Sequence, residues 1–542
     1  MICRVKKIEY QQSTIKEEKK MKVNIMICAL MASFNAFASQ CHQIKFQQDQ
    51  QTITGNFNSQ REACIEFNIL PEHYVRGLAL GMQKLVVQKG NQQHIRTLFT
   101  DNPVDARQSI GFTVPQVGKY RLAAKGKTGE PWQLTLSFPS YIPKDNDYRQ
   151  QPESLRLKQL QTEIAQGKGT HAFWREITRK GTPLIEDYDD KNKRVTFLWR
   201  GAKANVFILG APSGDHDPMS HLVGTDVWFR SYIVPSDTLM QYRLAPDLPR
   251  VEGTADEQRR SILITAQADP LNKKVVPAVS EDVFNHDSLL ALRPTLCDIA
   301  QFKQSPFQGA TKLHQLESKI LGNSREIAIY QPVTPMKQPA MLVLFDGQIY
   351  RKQYYIDRFF DSLIEQGKIP PMYVVFIDSL DSARRGQELP PNPNFAEFMA
   401  SELIPWLAAQ GIKAPAERTI ISGSSYGGLA SSWVAFNHPE LFGNVLSMSG
   451  SYWWAPQGEA PEWLIREFAK AEKKPLRFYL QAGLFETNRG ELEGILYNNR
   501  RMKQTLLQKG YLVESSEISS GHNYISWCET LYYGTRSLVT KW

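Results

Sequence analysis

The sequence predicts a multidomain protein, with two N-terminal β-sandwich domains followed by a C-terminal α/β domain, and three observations carry this. Up to about residue 290 the chain shows short β-rich runs separated by Gly, Asn, Asp and Pro, the texture of antiparallel sandwiches. From about 295 apolar strands alternate with helical patterns, which indicates a mainly parallel sheet. Between one such strand and one such helix stands Gly423-Ser424-Ser425-Tyr426-Gly427. An apolar strand, Gly-x-Ser-x-Gly and a helix form the layout of a nucleophile elbow, so the last domain reads as an α/β-hydrolase domain with Ser425 on the turn.

In chain order, Met21 opens an export signal. Lys19, Lys20 and Lys22 are its basic end, Val23 to Phe34 its apolar core, and Ala36-Phe37-Ala38 a cleavage site before Ser39. The apolar run is shorter than the roughly 20 residues a membrane span needs, so residues 1–38 are expected to comprise a hydrophilic N-terminal extension, up to residue 20, and a cleavable export signal from Met21 rather than an anchor. Of the net charge of +9, +4 lies there, from seven Lys or Arg against three Glu in residues 1–38. The remaining excess forms no long basic run, which argues against a nucleic-acid partner and leaves room for a small anionic substrate.

Export implies an oxidising compartment, in which Cys41, Cys64, Cys297 and Cys528 are expected to pair. The expected pairs are Cys41–Cys64, close in sequence, and Cys297–Cys528, which would pin the start of the catalytic domain near its end. Buried free thiols are the alternative.

Residues 39–145 contain Leu85–Val87, Ile95–Phe99, Tyr120–Ala123 and Trp132–Leu136 and read as a small sandwich without evident chemistry. Residues 153–166 read as a helix on the spacing of Leu155, Leu157, Leu160 and Ile164. A second sandwich, closing the 153–292 domain, holds Val195–Trp199, Val206–Leu209 and Trp228–Val234. Its Trp199 and Trp228 are expected in the core rather than against a ligand. The catalytic domain, 295–542, offers strands at Ile327–Tyr330, Met341–Phe345, Tyr373–Ile377, Thr419–Ile421, Val445–Met448 and Leu476–Leu480. A helical pattern runs from Phe395 to Gln410.

A serine hydroxyl needs a base to attack at neutral pH, and in this fold the acid and then the histidine follow the serine. Two histidines do so. His438 sits at the far end of the helix that starts at the elbow and reads as structural; His522, in a turn-rich loop after Leu512–Ile518, reads as the base. No Asp lies between Ser425 and His522, so the acid must be a Glu. Glu486, just past a strand, is preferred over Glu491 and Glu493, and a Ser–His dyad is the remaining option. Oxyanion donors are expected from the backbone of Tyr426 and of Gly347 or Gln348, in Phe345-Asp346-Gly347-Gln348, with Asp346 bracing that loop. Arg384, Arg385, Trp453, Trp454 and Trp527 lie in or near strand-end loops and are candidates for binding an anionic, aromatic substrate.

Phe345–Gln348, Asp378–Asn392 with Arg385, Gly423–Gly428, Ser449–Trp454 and Gly521-His522 resemble the enterochelin (ferric enterobactin) esterases. Phe173-Trp174, Gly181–Glu186, Thr196–Gly201, Gly224–Trp228 and Asp269–Asn272 resemble that family's amino-terminal sandwich, so the likeness runs from about 153 to 542. The resemblance implies hydrolysis of the serine trilactone of a catecholate siderophore, with Ser425, His522 and Glu486 at the family's nucleophile, base and carboxylate positions. Arg385 matches a family arginine, and Arg384 stands where the family pattern has His. No metal or organic cofactor is implied, because Fe(III) enters only as part of the substrate. The export signal and the additional sandwich depart from the best-known members and imply a periplasmic setting. They also leave two alternatives, a feruloyl or acetyl carbohydrate esterase and a non-catalytic siderophore- or glycan-binding protein.

Overall fold

A computed structural model describes residues 41–542 apart from 46–49, 71, 91, 104, 115, 278–281, 490–491 and 541. The expected export signal and Glu491 lie outside the described residues. A first β-rich unit pairs a five-stranded sheet with a four-stranded one. Alternate residues from both point inward to one core, including Phe67, Phe112, Tyr120, Trp132 and Phe138. Its edge strand His42–Ile44 has three residues, too few to hold register alone. The Cys41–Cys64 disulfide fixes it beside Glu62–Ile69, with His42 opposite Ile65.

The expected helix forms at Leu155–Ala165 with Ser154 as its cap, and a second helix follows at His171–Lys180. Next comes a second β-rich unit of one four-stranded and one five-stranded sheet. Trp228 is buried in its core and Trp199 packs partly buried against it, as expected. Phe485 and Leu484 of the C-terminal unit enter the same core. The second β-rich unit is therefore docked against the loop that carries Glu486.

The C-terminal unit is an eight-stranded sheet. Its strands are β1 (Ala310–Ser318), β2 (Asn323–Gln331), β3 (Met341–Leu344), β4 (Tyr373–Ile377), β5 (Thr419–Ser424), β6 (Asn444–Met448), β7 (Arg477–Gly483) and β8 (Leu512–Ile518), in spatial order β1-β2-β4-β3-β5-β6-β7-β8. Strand β2 runs antiparallel to β1 and β4, and the other pairings are parallel. The central parallel strands β3 to β7 are largely apolar on both faces because helices cover both, whereas the parallel edge strand β8 is polar and mostly exposed. Val343, Val375, Ile421 and Val445 face one core, whereas Leu342, Val374, Ile420 and Leu446 face the other. Cys297–Cys528 ties the start of this unit to its last helix, so both expected pairings are present.

The helix expected over 395–410 is interrupted. Pro393–Glu397 and Ile404–Ala409 are α-helical, and Phe398–Leu403 between them is a wider π turn. Pro405 lacks an N–H and its ring crowds the carbonyl four residues back, which opens the turn.

Candidate active site

The elbow is built as its glycines require. All six residues of β5 are buried, and helix α1 of this site (Tyr426–Asn437) starts directly after Ser425. Ser425 has φ 60° and ψ −120°, a conformation that costs a non-glycine residue energy and that the surroundings must impose. Its N–H donates to the Met448 carbonyl at 2.9 Å, and its carbonyl accepts from Ser451 and Leu429, each at 3.1 Å. A Cβ on Gly423 would lie 2.7 Å from the Gly427 carbonyl carbon, and one on Gly428 2.7 Å from Ser447 Oγ. Only glycine lets β5, the helix and β6 approach this closely. The serine Oγ sits 3.3 Å from Ser451 Oγ.

His522 lies between β8 and helix α2 (Tyr524–Val539), and its Nδ1 is 2.5 Å from Glu486 Oε1. The other oxygen, Oε2, accepts from the Gly483 N–H at 2.6 Å and from Ser449 Oγ at 2.7 Å. Glu486 is only 5% exposed, and both oxygens are engaged by donors, which keeps a buried carboxylate in one orientation. With Nδ1 held by the acid, Nε2 is the nitrogen left to take a proton. Of the candidate carboxylates, Glu486 is the one that reaches His522. Glu493 is exposed, and His438, at the far end of α1, is beside Glu440 at 3.2 Å.

After β3 the chain turns through Asp346 (φ 55°) into a short helix, Gly347–Lys352. A Cβ on Gly347 would lie 2.6 Å from the Ile377 nitrogen, so the loop can approach β4 only with glycine there. Helical bonding begins with Ile349 N–H to the Asp346 carbonyl at 3.0 Å. The Gly347 and Gln348 N–H groups precede that first bond, as Tyr426 N–H does in α1, and first-turn groups of this kind can serve an oxyanion. Asp346 is fully buried. It receives Arg385 through two bonds of 2.7 Å, Nε to Oδ1 and Nη2 to Oδ2, and Ser379 Oγ at 2.6 Å. Burial opposes the Arg385 charge, but the Asp346 carboxylate outweighs it and holds the guanidinium above its ordinary pKa. Arg385→Met should leave that carboxylate buried and unpaired, a loss of about 3–5 kcal/mol. Denaturant midpoints of the two proteins measure it.

Comparison with known proteins follows the same division of the chain. Residues 318–538 match the family model "Putative esterase", and residues 194–294 match "Enterochelin esterase, N-terminal". The chain is 30% identical over 421 residues to the iron(III) enterobactin esterase of Dickeya dadantii, covering 69% of this chain and 93% of that one. It belongs to the iron(III) enterobactin esterase family. Solved relatives are also similar. The ferric enterobactin esterase of Salmonella typhimurium is 26% identical with a TM-score of 0.56, over 68% of this chain and 98% of that one. The Shigella flexneri enterobactin esterase, crystallised in the presence of enterobactin, is 25% identical with a TM-score of 0.55, over 69% and 99%. The protein is thus a carboxylic ester hydrolase, as the sequence implies.

In this esterase Ser425, Tyr426, Arg385, Ser451, Trp453, Glu486 and His522 line one cleft of about 790 Å³. Trp453 stands beside Tyr426, ring centres 5.8 Å apart. Three sequence candidates lie elsewhere. Arg384 pairs with Asp105 of the first β-rich unit. Successive helical residues point about 100° apart, so Arg384 and Arg385 cannot both face the cleft. Trp454 packs edge-on against Trp463 at 6.2 Å. Trp527, 3% exposed, stands edge-on to His522 with ring centres 4.7 Å apart and donates to Ser449 Oγ at 2.9 Å. It supports the histidine and does not form the cleft wall.

The facing wall comes from the second β-rich unit through Gly210, Asp215, His216 and Arg259. These residues precede Ser425 by more than 160 positions and carry no motif, so only domain docking brings them to the site. Arg259 pairs with Asp215. Burial, reinforced by Arg259, presses His216 down to about 4, so it stays neutral at working pH, and the two arginines on the walls, Arg259 and Arg385, are each paired with a carboxylate, Asp215 and Asp346.

Proposed function

We propose that this esterase hydrolyses the trilactone ester bonds of a catecholate siderophore of the ferric enterobactin kind and thereby loosens its hold on iron. The observation that carries the reading is the cleft itself. It combines a serine elbow and a carboxylate-held histidine with two arginines and an aromatic pair, in a chain whose relatives are named for that substrate. Ferric tris-catecholate is anionic and aromatic, which suits Arg385, Arg259, Trp453 and Tyr426.

In the mechanism Ser425 Oγ attacks a lactone carbonyl while His522 Nε2 takes its proton. Glu486 stabilises the imidazolium that forms. The backbone N–H groups of Tyr426 and of Gly347 or Gln348 receive the oxyanion. Collapse expels the neighbouring serine oxygen, protonated by His522, and leaves an acyl-enzyme. Water, activated by His522, then releases the acid. The chemistry needs no metal or organic cofactor, and Fe(III) arrives as cargo.

The finer organisation we propose is two β-sandwiches, 39–145 and 153–292, ahead of an α/β-hydrolase domain, 295–542. Two disulfides and the export signal read in the sequence suit a periplasmic enzyme that acts after siderophore uptake. Among the described residues no helix is long and apolar enough to cross a membrane. The test is to compare kcat/KM for ferric enterobactin and for a feruloylated oligosaccharide. A preference for the siderophore supports the proposal; release of ferulate with the siderophore untouched overturns it.

A further inference from the structure

The first β-rich unit lies outside both family models, which match from residue 194 onward. Two of its segments nevertheless grip opposite sides of the active-site cleft. On one side Asp105 takes Arg384, with Nη1 to Oδ1 at 3.1 Å and a second, shorter bond from Nη2. Arg384 immediately precedes Arg385 in the helix Ser382–Glu388, and Arg385 both lines the cleft and clamps Asp346 of the oxyanion loop. On the other side Arg96 donates through Nη1 to the Ile264 carbonyl and through Nη2 to the Leu263 carbonyl, each at 2.8 Å. Those carbonyls belong to the turn Ser261–Ile264, which continues directly from the helix Ala255–Arg260 that bears Arg259.

Further contacts make this second grip rigid. Thr97 N–H donates to Asp282 Oδ2 at 2.7 Å, Asn285 Nδ2 donates to the Thr97 carbonyl at 2.8 Å, and the Arg96 guanidinium stands 4.5 Å over the Phe284 ring. Tyr74 packs with Val251 and Ile264 in a small buried cluster, and a Cβ on Gly111 would lie 3.0 Å from Ile264 Cγ1.

We propose that the first β-rich unit is a brace that sets the spacing of the two arginine-bearing walls, and so tunes recognition of a bulky anionic substrate. It acts through Arg384 and Arg259, so Asp105 and Arg96 are positioning residues. The inference rests on the siderophore reading of the cleft. It gives the additional unit a role inside the enzyme.

The experiment uses the full exported chain. Asp105→Arg sets two guanidinium groups together, and Asp105→Arg/Arg384→Asp restores the pair with reversed sign. KM and kcat are measured with ferric enterobactin and with p-nitrophenyl butyrate, a small neutral ester that does not bridge the walls. The expected result is about a fivefold rise in KM for the siderophore in Asp105→Arg. Its kcat and the butyrate kinetics should stay within twofold, and the charge-swapped double variant should recover. Arg96→Met, which releases the opposite wall, should raise the siderophore KM in the same way. Unchanged siderophore KM in both single variants overturns the proposal. So does an equal loss on both substrates that the swap fails to rescue, since that marks a merely structural contact. Wild-type protein that cleaves butyrate but not the siderophore overturns the substrate reading instead, and with it the substrate-specific part of the brace.

Discussion

Ser425→Ala is expected to reduce kcat on the siderophore about a millionfold, the scale seen when a triad serine is removed. The protein should fold normally, because alanine occupies the same strained backbone with no loss of the glycine contacts around it. Siderophore binding should survive, since the cleft walls are untouched, and fluorescence quenching of Trp453 by the ferric complex offers a readout. Pairing Ser425→Ala with His522→Ala should cost little more than either alone, because base and nucleophile work as a unit. A binding protein without catalysis would bind as before and show no hydrolysis to lose.

Glu486→Gln should lower kcat about ten-thousandfold. The reason is visible in the donors around it. Gly483 N–H and Ser449 Oγ both point at Oε2, so the glutamine must place its carbonyl there. Its NH₂ group then faces His522 Nδ1, which has to become an acceptor and push the imidazole proton to Nε2. That is the wrong tautomer to accept a proton from Ser425. Glu486→Asp, which keeps the charge but shortens the reach, should lose less. If Glu486→Gln retains more than a tenth of wild-type kcat, the carboxylate is not the partner of the catalytic histidine.

The sequence displays the elbow because its requirements are local. Gly423, Ser425 and Gly427 satisfy a turn that three neighbouring elements share, and His522 and Glu486 each follow a recognisable strand. The central parallel strands are legible for the same reason, as doubly buried strands are largely apolar along their length. Strand β1 was not. It is an edge strand in which only Leu316 and Ser318 are buried, so its pattern is polar. Side-chain direction was also beyond reach. Arg384 and Trp527 lie close in sequence to Arg385 and His522, yet the direction each takes from its helix turns Arg384 toward Asp105 and puts Trp527 in the core. The wall bearing Arg259 depends on docking between distant segments, with no local motif to announce it.

The decisive experiment is product analysis by mass spectrometry, with purified residues 39–542 incubated with ferric enterobactin beside the Ser425→Ala variant. Esterolysis at Ser425 should yield linear trimer, then dimer and monomer of dihydroxybenzoyl-serine from the wild type, each gaining one water per ester cut, and intact trilactone from the variant. Intact trilactone from both proteins, or equal cleavage by both, would contradict it.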